Sequence, residues 1–259
     1  MKQYHETNQL AENLRRQWGI DNYAPIDIFS IVIEKMHDLT LILLPLNQKI
    51  SGCCSKINND HLILINSEHS KGRQNFTLAH ELYHLIYEDN EEWLICSANE
   101  HKGSFNQRKD FSEKEADNFA SSLLMPSCAL HDYMEKKYIE TWSLEDIIYC
   151  EQFFGISHIA MLCKLRIEKL ISYEDFICYR DNVKKVASEL GFSTELYDSS
   201  NEIKKYFSFG NYIRLTQKAY ENGKISIGKK EELLLDVFRS DIVYNLKEGD
   251  FLEKQTSLL

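Results

Sequence analysis

Along the first third of the chain apolar residues recur every third or fourth position and then give way to short continuous runs, and that change of period marks the elements. Over residues 3–18, Leu10, Leu14 and Trp18 share one helical face and Gly19 stops the run. Pro25 opens a second helix reaching about Met36, with Ile28, Ile31, Val32 and Met36 on one side. Three strand-like pieces follow: Leu39–Leu44, Ile50–Ile57 and His61–Ile65, the last two separated by Asn58-Asn59-Asp60, which suits a tight hairpin. Helical spacing returns in Phe76–Leu85, where Leu78, Leu82 and Leu85 form a stripe. From Tyr87 to Asp110 the chain is polar, broken only by Trp93-Leu94-Ile95, and reads as a long surface excursion of the kind used for lids, with His101 a candidate substrate contact. Ala116, Phe119, Ala120, Leu123 and Leu124 then mark a helix from Phe111 that must break before Pro126. Residues 143–170 read as two helices about Phe154-Gly155-Ile156-Ser157, and Tyr212–Leu235 as two more about Asn222-Gly223.

A small sheet among helices makes the chain α+β, with a first domain over residues 1–140 and a helical C-terminal region over 141–259. At 259 residues with 43% hydrophobic content, a sizeable core is expected. The formal charge of -10 argues against nucleic acid as the primary partner, because phosphate neutralisation needs a basic face. Seven scattered cysteines without CxxC spacing point to reduced thiols and a cytoplasmic protein, and the polar N-terminus shows no secretory signal. The longest apolar run, Leu39–Leu46, is too short to span a bilayer.

The chemistry concentrates in His80-Glu81-Leu82-Tyr83-His84. On a helix, i and i+4 fall on nearly one face, so His80 and His84 can offer two imidazoles to one metal, while Glu81 can reach a water held there and act as general base. The competing reading is an amphipathic helix whose histidines are satisfied within the core. Glu115, bordering the apolar stripe of the next helix, could be a third ligand of a His2Glu set. Alternatively, Ser112-x-x-Glu115 is a capping box. Glu113 is a further candidate, about 200° around the helix from Glu115, so only one of the two can face a metal. Strands followed directly by such a helix suit a peptidase, since a peptide can add to a sheet while the helix presents the metal. Cys53 and Cys54 read as half-buried strand residues, a capping thiolate being the less favoured alternative.

Phe76-Thr77-Leu78-Ala79-His80-Glu81-x-x-His84, followed by Glu115-Ala116-x-x-Phe119-Ala120-x-x-Leu123-Leu124-Met125-Pro126, resembles the ImmA/IrrE family of zinc metallo-endopeptidases. The resemblance implies a zincin-like domain with His80, His84 and Glu115 holding Zn2+ and Glu81 as catalytic base. Asn66 and Arg73 also match the usual run-in to the metal helix. It implies as well a substrate class, a helix-turn-helix repressor or antitoxin-like partner cut to relieve repression in stress or mobile-element settings. Residues 143–170 resemble the helix-turn-helix-like piece that often follows in the family, but Lys164, Arg166 and Lys169 are offset by Glu145, Asp146, Glu151 and Glu168, so a packing hairpin is expected and not a DNA reader. The alternative to an enzyme is a non-catalytic module that keeps the peptidase fold and docks on a regulator. Tyr83, Tyr87, His101 and Tyr133 are all conceivable oxyanion donors.

Overall fold

The computed structural model describes residues 2–88, 94–97 and 107–246. The helix α1 (Lys2–Gln17) lies against α4 (Gln107–Leu124), so the first helix of the chain covers one of the central ones. Arg15 of α1, wholly buried, ties them together: its guanidinium donates to the Leu123 carbonyl and to the Asp21 carbonyl, each at 2.6 Å, and also to that of Ala24. The next helix, α2 (Ile28–Lys35), is capped by Asp27 and begins three residues after Pro25, the proline expected to open it.

The strands β1 (Leu39–Leu44), β2 (Ile50–Ile57) and β3 (Asp60–Asn66) occupy the expected stretches. In β1 buried and half-buried residues alternate, the period-2 signature of a strand with one covered face. Two further strands were not read from sequence. Leu94–Ser97 (β4), inside the stretch taken for surface excursion, pairs with β2, and Phe207–Gly210 (β5) pairs with β1. The sheet therefore runs β4-β2-β3-β1-β5, with β1 and β3 parallel and the other pairs antiparallel. Residues that lie beyond the first domain as drawn from sequence thus contribute an edge strand. Gly210 makes that edge close: at φ +93° its position leaves no room for a side chain, since a Cβ would sit 2.2 Å from the Leu39 carbonyl oxygen.

The helix α3 (Lys71–Tyr87) packs on β2 and β3 and on α4, with Leu78, Ala79, Leu82, Phe119, Ala120 and Leu123 in one core with Leu41, Ile63 and Ile65. After Pro126 come α5 (Ser127–Lys137), α6 (Leu144–Phe154) and α7 (His158–Ile167). The α6–α7 hairpin turns at Gly155 in the left-handed conformation and sends Phe154, Ile156, Met161, Leu162 and Leu165 into the same core, which is the packing role expected of it. It also grips α3 directly. Asn75 donates to the Gly155 carbonyl at 2.8 Å, and α3 approaches so closely at Gly72 that a Cβ there would meet Ser157 Cα at 2.9 Å.

Beyond the hairpin come α8 (Tyr173–Tyr179), α9 (Val183–Glu189), which packs on α6, and a 3-10 turn (Glu195–Tyr197); α8 and the 3-10 turn are joined to the hairpin through a buried polar cluster. Glu151, with no exposed surface, faces His158 Nδ1 at 2.9 Å and accepts from the Tyr197 hydroxyl at 2.5 Å; His158 Nε2 faces the Tyr179 carbonyl at 2.9 Å. Both partners of the ring are acceptors, so both nitrogens carry protons and the pair is an imidazolium on a carboxylate. The chain finishes with α10 (Asn211–Glu221), α11 (Ile227–Asp236) and α12 (Ser240–Tyr244), the first two matching the pair expected about Asn222-Gly223. Among the described residues no helix is long and apolar enough to cross a membrane.

Candidate metal centre

Ser70 caps α3, its hydroxyl accepting from the Arg73 amide at 3.4 Å, and from that start the helical period carries His80, Glu81 and His84 to the side covered by β2 and α4. All three are buried. The two imidazoles point their Nε2 atoms at each other across 3.1 Å. Each Nδ1 is held from behind by a carboxylate, that of His80 by Asp117 and that of His84 by Glu88, both at 2.9 Å. An ionised carboxylate only accepts, so each Nδ1 keeps the proton and each Nε2 is left with a lone pair. Two nitrogens so directed can share one proton or offer their lone pairs to one metal ion.

A carboxylate completes the set, and it is not the one expected. Glu113 places its oxygens 3.2 Å from His80 Nε2 and 3.8 Å from His84 Nε2, whereas Glu115 accepts a hydrogen bond from the Tyr83 hydroxyl at 3.0 Å. The reason is the phase of α4 against α3. Glu113 and Asp117 stand one turn apart and face the His80–His84 pair, while Glu115 is rotated away, against the side of α3 that carries Tyr83. Its border position beside the apolar stripe, which suggested a ligand, is explained by that tyrosine. The capping alternative does not form either: α4 starts at Gln107, so Ser112 lies inside the helix, and its hydroxyl donates to Glu88.

His80, His84 and Glu113 offer ligand atoms that all lie within 4.8 Å of one another. A tetrahedral first-row metal with bonds of about 2.0–2.1 Å has ligand-to-ligand edges of about 3.3–3.4 Å, and the separations of 3.1 and 3.2 Å are close to that. Two neutral imidazoles and a carboxylate, each imidazole oriented by its own second carboxylate, fit a divalent metal.

Glu81 lies beside the pair with β2 passing directly over it. A Cβ on Gly52 would stand 3.2 Å from Glu81 Oε1, 2.7 Å from Thr77 Cγ2 and 2.8 Å from the Leu64 carbonyl, so only glycine lets the strand come this close to the carboxylate. The pKa of the next residue, Cys53, is pushed up to about 11 by burial and by the Glu81 charge. Of the conceivable oxyanion donors, Tyr83 is engaged by Glu115, Tyr87 reaches the Leu10 carbonyl at 3.5 Å, and Tyr133 packs on Phe153 and Phe154. His101 and most of the polar stretch around it lie outside the described residues. The residues of the candidate site that sequence reasoning passed over are Asp117 and Glu88, which hold the two imidazoles; the helical offset of four from Glu113 and from His84 was the available signal for each.

The model of the IrrE N-terminal-like domain of the M78 peptidases matches residues 34–166, just over half of the chain. This chain belongs to the M78 peptidase family. The matched span begins at the end of α2 and runs through the four strands β1–β4, α3, α4, α5 and the α6–α7 hairpin, leaving β5 outside it, so the M78 domain has a zincin-like α+β fold and a metallopeptidase-type function. The hairpin, which packs into the core beside α3, lies within the matched span. No curated protein matches the chain.

Proposed function

We propose that the protein is a zinc-dependent endopeptidase that makes a site-specific cut in a regulatory protein of the helix-turn-helix repressor or antitoxin class, in the cytoplasm. One observation carries the catalytic part: the convergence of His80, His84 and Glu113 with Glu81 at their side. A zinc ion held there supplies a Lewis acid and lowers the pKa of its water. Glu81 is the base that takes the proton from the attacking water and passes it on to the leaving amine. Asp117 and Glu88 keep each imidazole in the tautomer that offers Nε2. The sheet's edges are β4 and β5, and an extended substrate segment would add at β4, beside the strand that roofs Glu81.

The substrate class rests on the resemblance of the two sequence blocks. Six free cysteines among the described residues support a reducing compartment, and the acidic chain supports a protein partner over nucleic acid. The test incubates wild type and Glu81→Gln with a small helix-turn-helix protein encoded beside this one and identifies fragments by mass spectrometry. One or few cuts by the wild type and none by a Glu81→Gln protein that retains its metal are expected. Equal activity in cells from Glu81→Gln would mean that the protein acts by docking alone. Broad digestion of unrelated unfolded proteins would replace the regulatory reading with a scavenging one.

A further inference from the structure

Arg73, Thr77 and Glu81 stand at i, i+4 and i+8 of α3, one stripe of the helix, and β2 runs along it. At the Glu81 end the strand touches through Gly52; at the other end Arg73 Nη2 donates to the Ser51 hydroxyl at 3.1 Å. Opposite β4 the register steps from Ile50↔Ser97 to Gly52↔Cys96, so Ser51 is the extra residue of a β-bulge. A bulge takes a residue out of the ladder and re-aims it, and such bulges gather beside active sites.

The guanidinium is half-buried, and burial lowers its pKa; among the described residues no acidic side chain opposes that effect. Among the described residues it has no carboxylate within ion-pair distance. This is notable in a chain with 40 acidic residues against 30 basic ones. His69 feels that charge: burial and then Arg73 hold its pKa below the usual histidine value. Arginine presents five N–H donors in a planar fork, of which Ser51 takes one. A partly desolvated fork with no counter-charge among the described residues is matched by an incoming carboxylate.

We propose that Arg73 is a specificity residue of the peptidase cleft that reads a carboxylate on the substrate, an inference that rests on the peptidase reading above. Eight helical residues separate Arg73 from Glu81, about 12 Å at 1.5 Å per residue. An extended peptide covers that distance in roughly three to four residues at about 3.3 Å each. Because the two side chains reach adjacent strand residues, Ser51 and Gly52, that span is an upper bound, and the carboxylate is that of an Asp or Glu within three to four residues of the scissile bond, or a chain terminus within the same distance.

Zinc-loaded Glu81→Gln protein is immobilised and exposed to two degenerate peptide pools, one with free and one with amidated C-termini, and retained peptides are sequenced. Asp or Glu should be enriched at one position by roughly ten- to a hundredfold, the range of a charge-assisted hydrogen bond, and the enrichment should fall to background when Arg73→Gln is added. Survival of the preference in the amidated pool assigns it to a side chain, and its loss there assigns it to the C-terminus. Absence of any carboxylate preference, or an equal preference with Arg73→Gln, overturns the proposal. Should Arg73→Gln fail to fold, Arg73→Lys decides, because it keeps the charge and loses the fork; an unchanged enrichment then counts against the proposal. Cleavage of the same pools by the wild type is scored separately. Its absence bears on the peptidase reading, while the retention result stands on its own.

Discussion

Glu113→Gln changes a carboxylate to an amide of nearly the same shape, so α4 can keep its packing while the donor set loses its negative ligand. The expected size follows from the site. Zinc bound by four ligands in small structural sites is worth about 10–16 kcal/mol, so one ligand of a set of three residues and a water carries about 3 kcal/mol, roughly a hundredfold in affinity. Glu113 earns that weight by its position, 3.2 Å from His80 Nε2 and 3.8 Å from His84 Nε2. Glu115→Gln is the paired control. Its carboxylate accepts from Tyr83 at 3.0 Å, a hydrogen bond that an amide oxygen can still accept, so the loss should be about 1 kcal/mol of stability with metal affinity unchanged. The assay is competition for zinc against a chelating indicator, with thermal unfolding followed with and without added metal. Because a ligand bound to the native state stabilises it by RT ln(1 + [L]/Kd), a hundredfold weaker site should lose about 2.7 kcal/mol of the metal-dependent stabilisation at fixed saturating zinc. Full zinc retention by Glu113→Gln together with loss in Glu115→Gln would show that the phase of α4 has been misread.

Gly52→Ala should fold less stably, by about 1–3 kcal/mol, and lose activity out of proportion, because the new methyl group must displace either Thr77, the Leu64 backbone or the Glu81 carboxylate; circular-dichroism melts and cleavage rates check it, and unimpaired cleavage refutes the close passage. Burial on its own lowers the His158 pKa, but the Glu151 hydrogen bond and charge, the Tyr179 carbonyl and Asp181 outweigh it, and the net shift is upward. A raised folded-state value means that this stabilisation is fully present below the unfolded pKa of about 6.5 and is lost as pH rises through the folded value. Unfolding free energy should therefore fall through that interval in the wild type. In Glu151→Gln, which leaves a buried imidazolium without its anion, stability should be lower by about 3 kcal/mol near pH 6 and vary less with pH; parallel profiles for the two proteins would show that the pair is not charged.

The pairing of His80 with His84 was legible because their relation is local: a period of 3.6 residues puts positions 80 and 84 on one face whatever surrounds the helix. The strands at 39–44, 50–57 and 60–66 were legible for a like reason, since alternation and the Asn-rich turn are written within a few residues of one another. The family was legible because its two motif blocks are contiguous in the chain. Only the tertiary structure decided which glutamate meets the imidazoles, for Glu113 and Glu115 differ by a rotation of α4 that is set by its packing on α1 and α3. The strands at 94–97 and 207–210 were invisible for want of length, four residues each, paired with partners about 40 and 170 positions away in the chain. The place of Gly52 over Glu81, and of Arg73 beside Ser51, likewise depends on how α3 seats against β2. Local spacing specifies which residue types can act together on one element; which elements meet, and at what rotation, is settled by burial of the whole core.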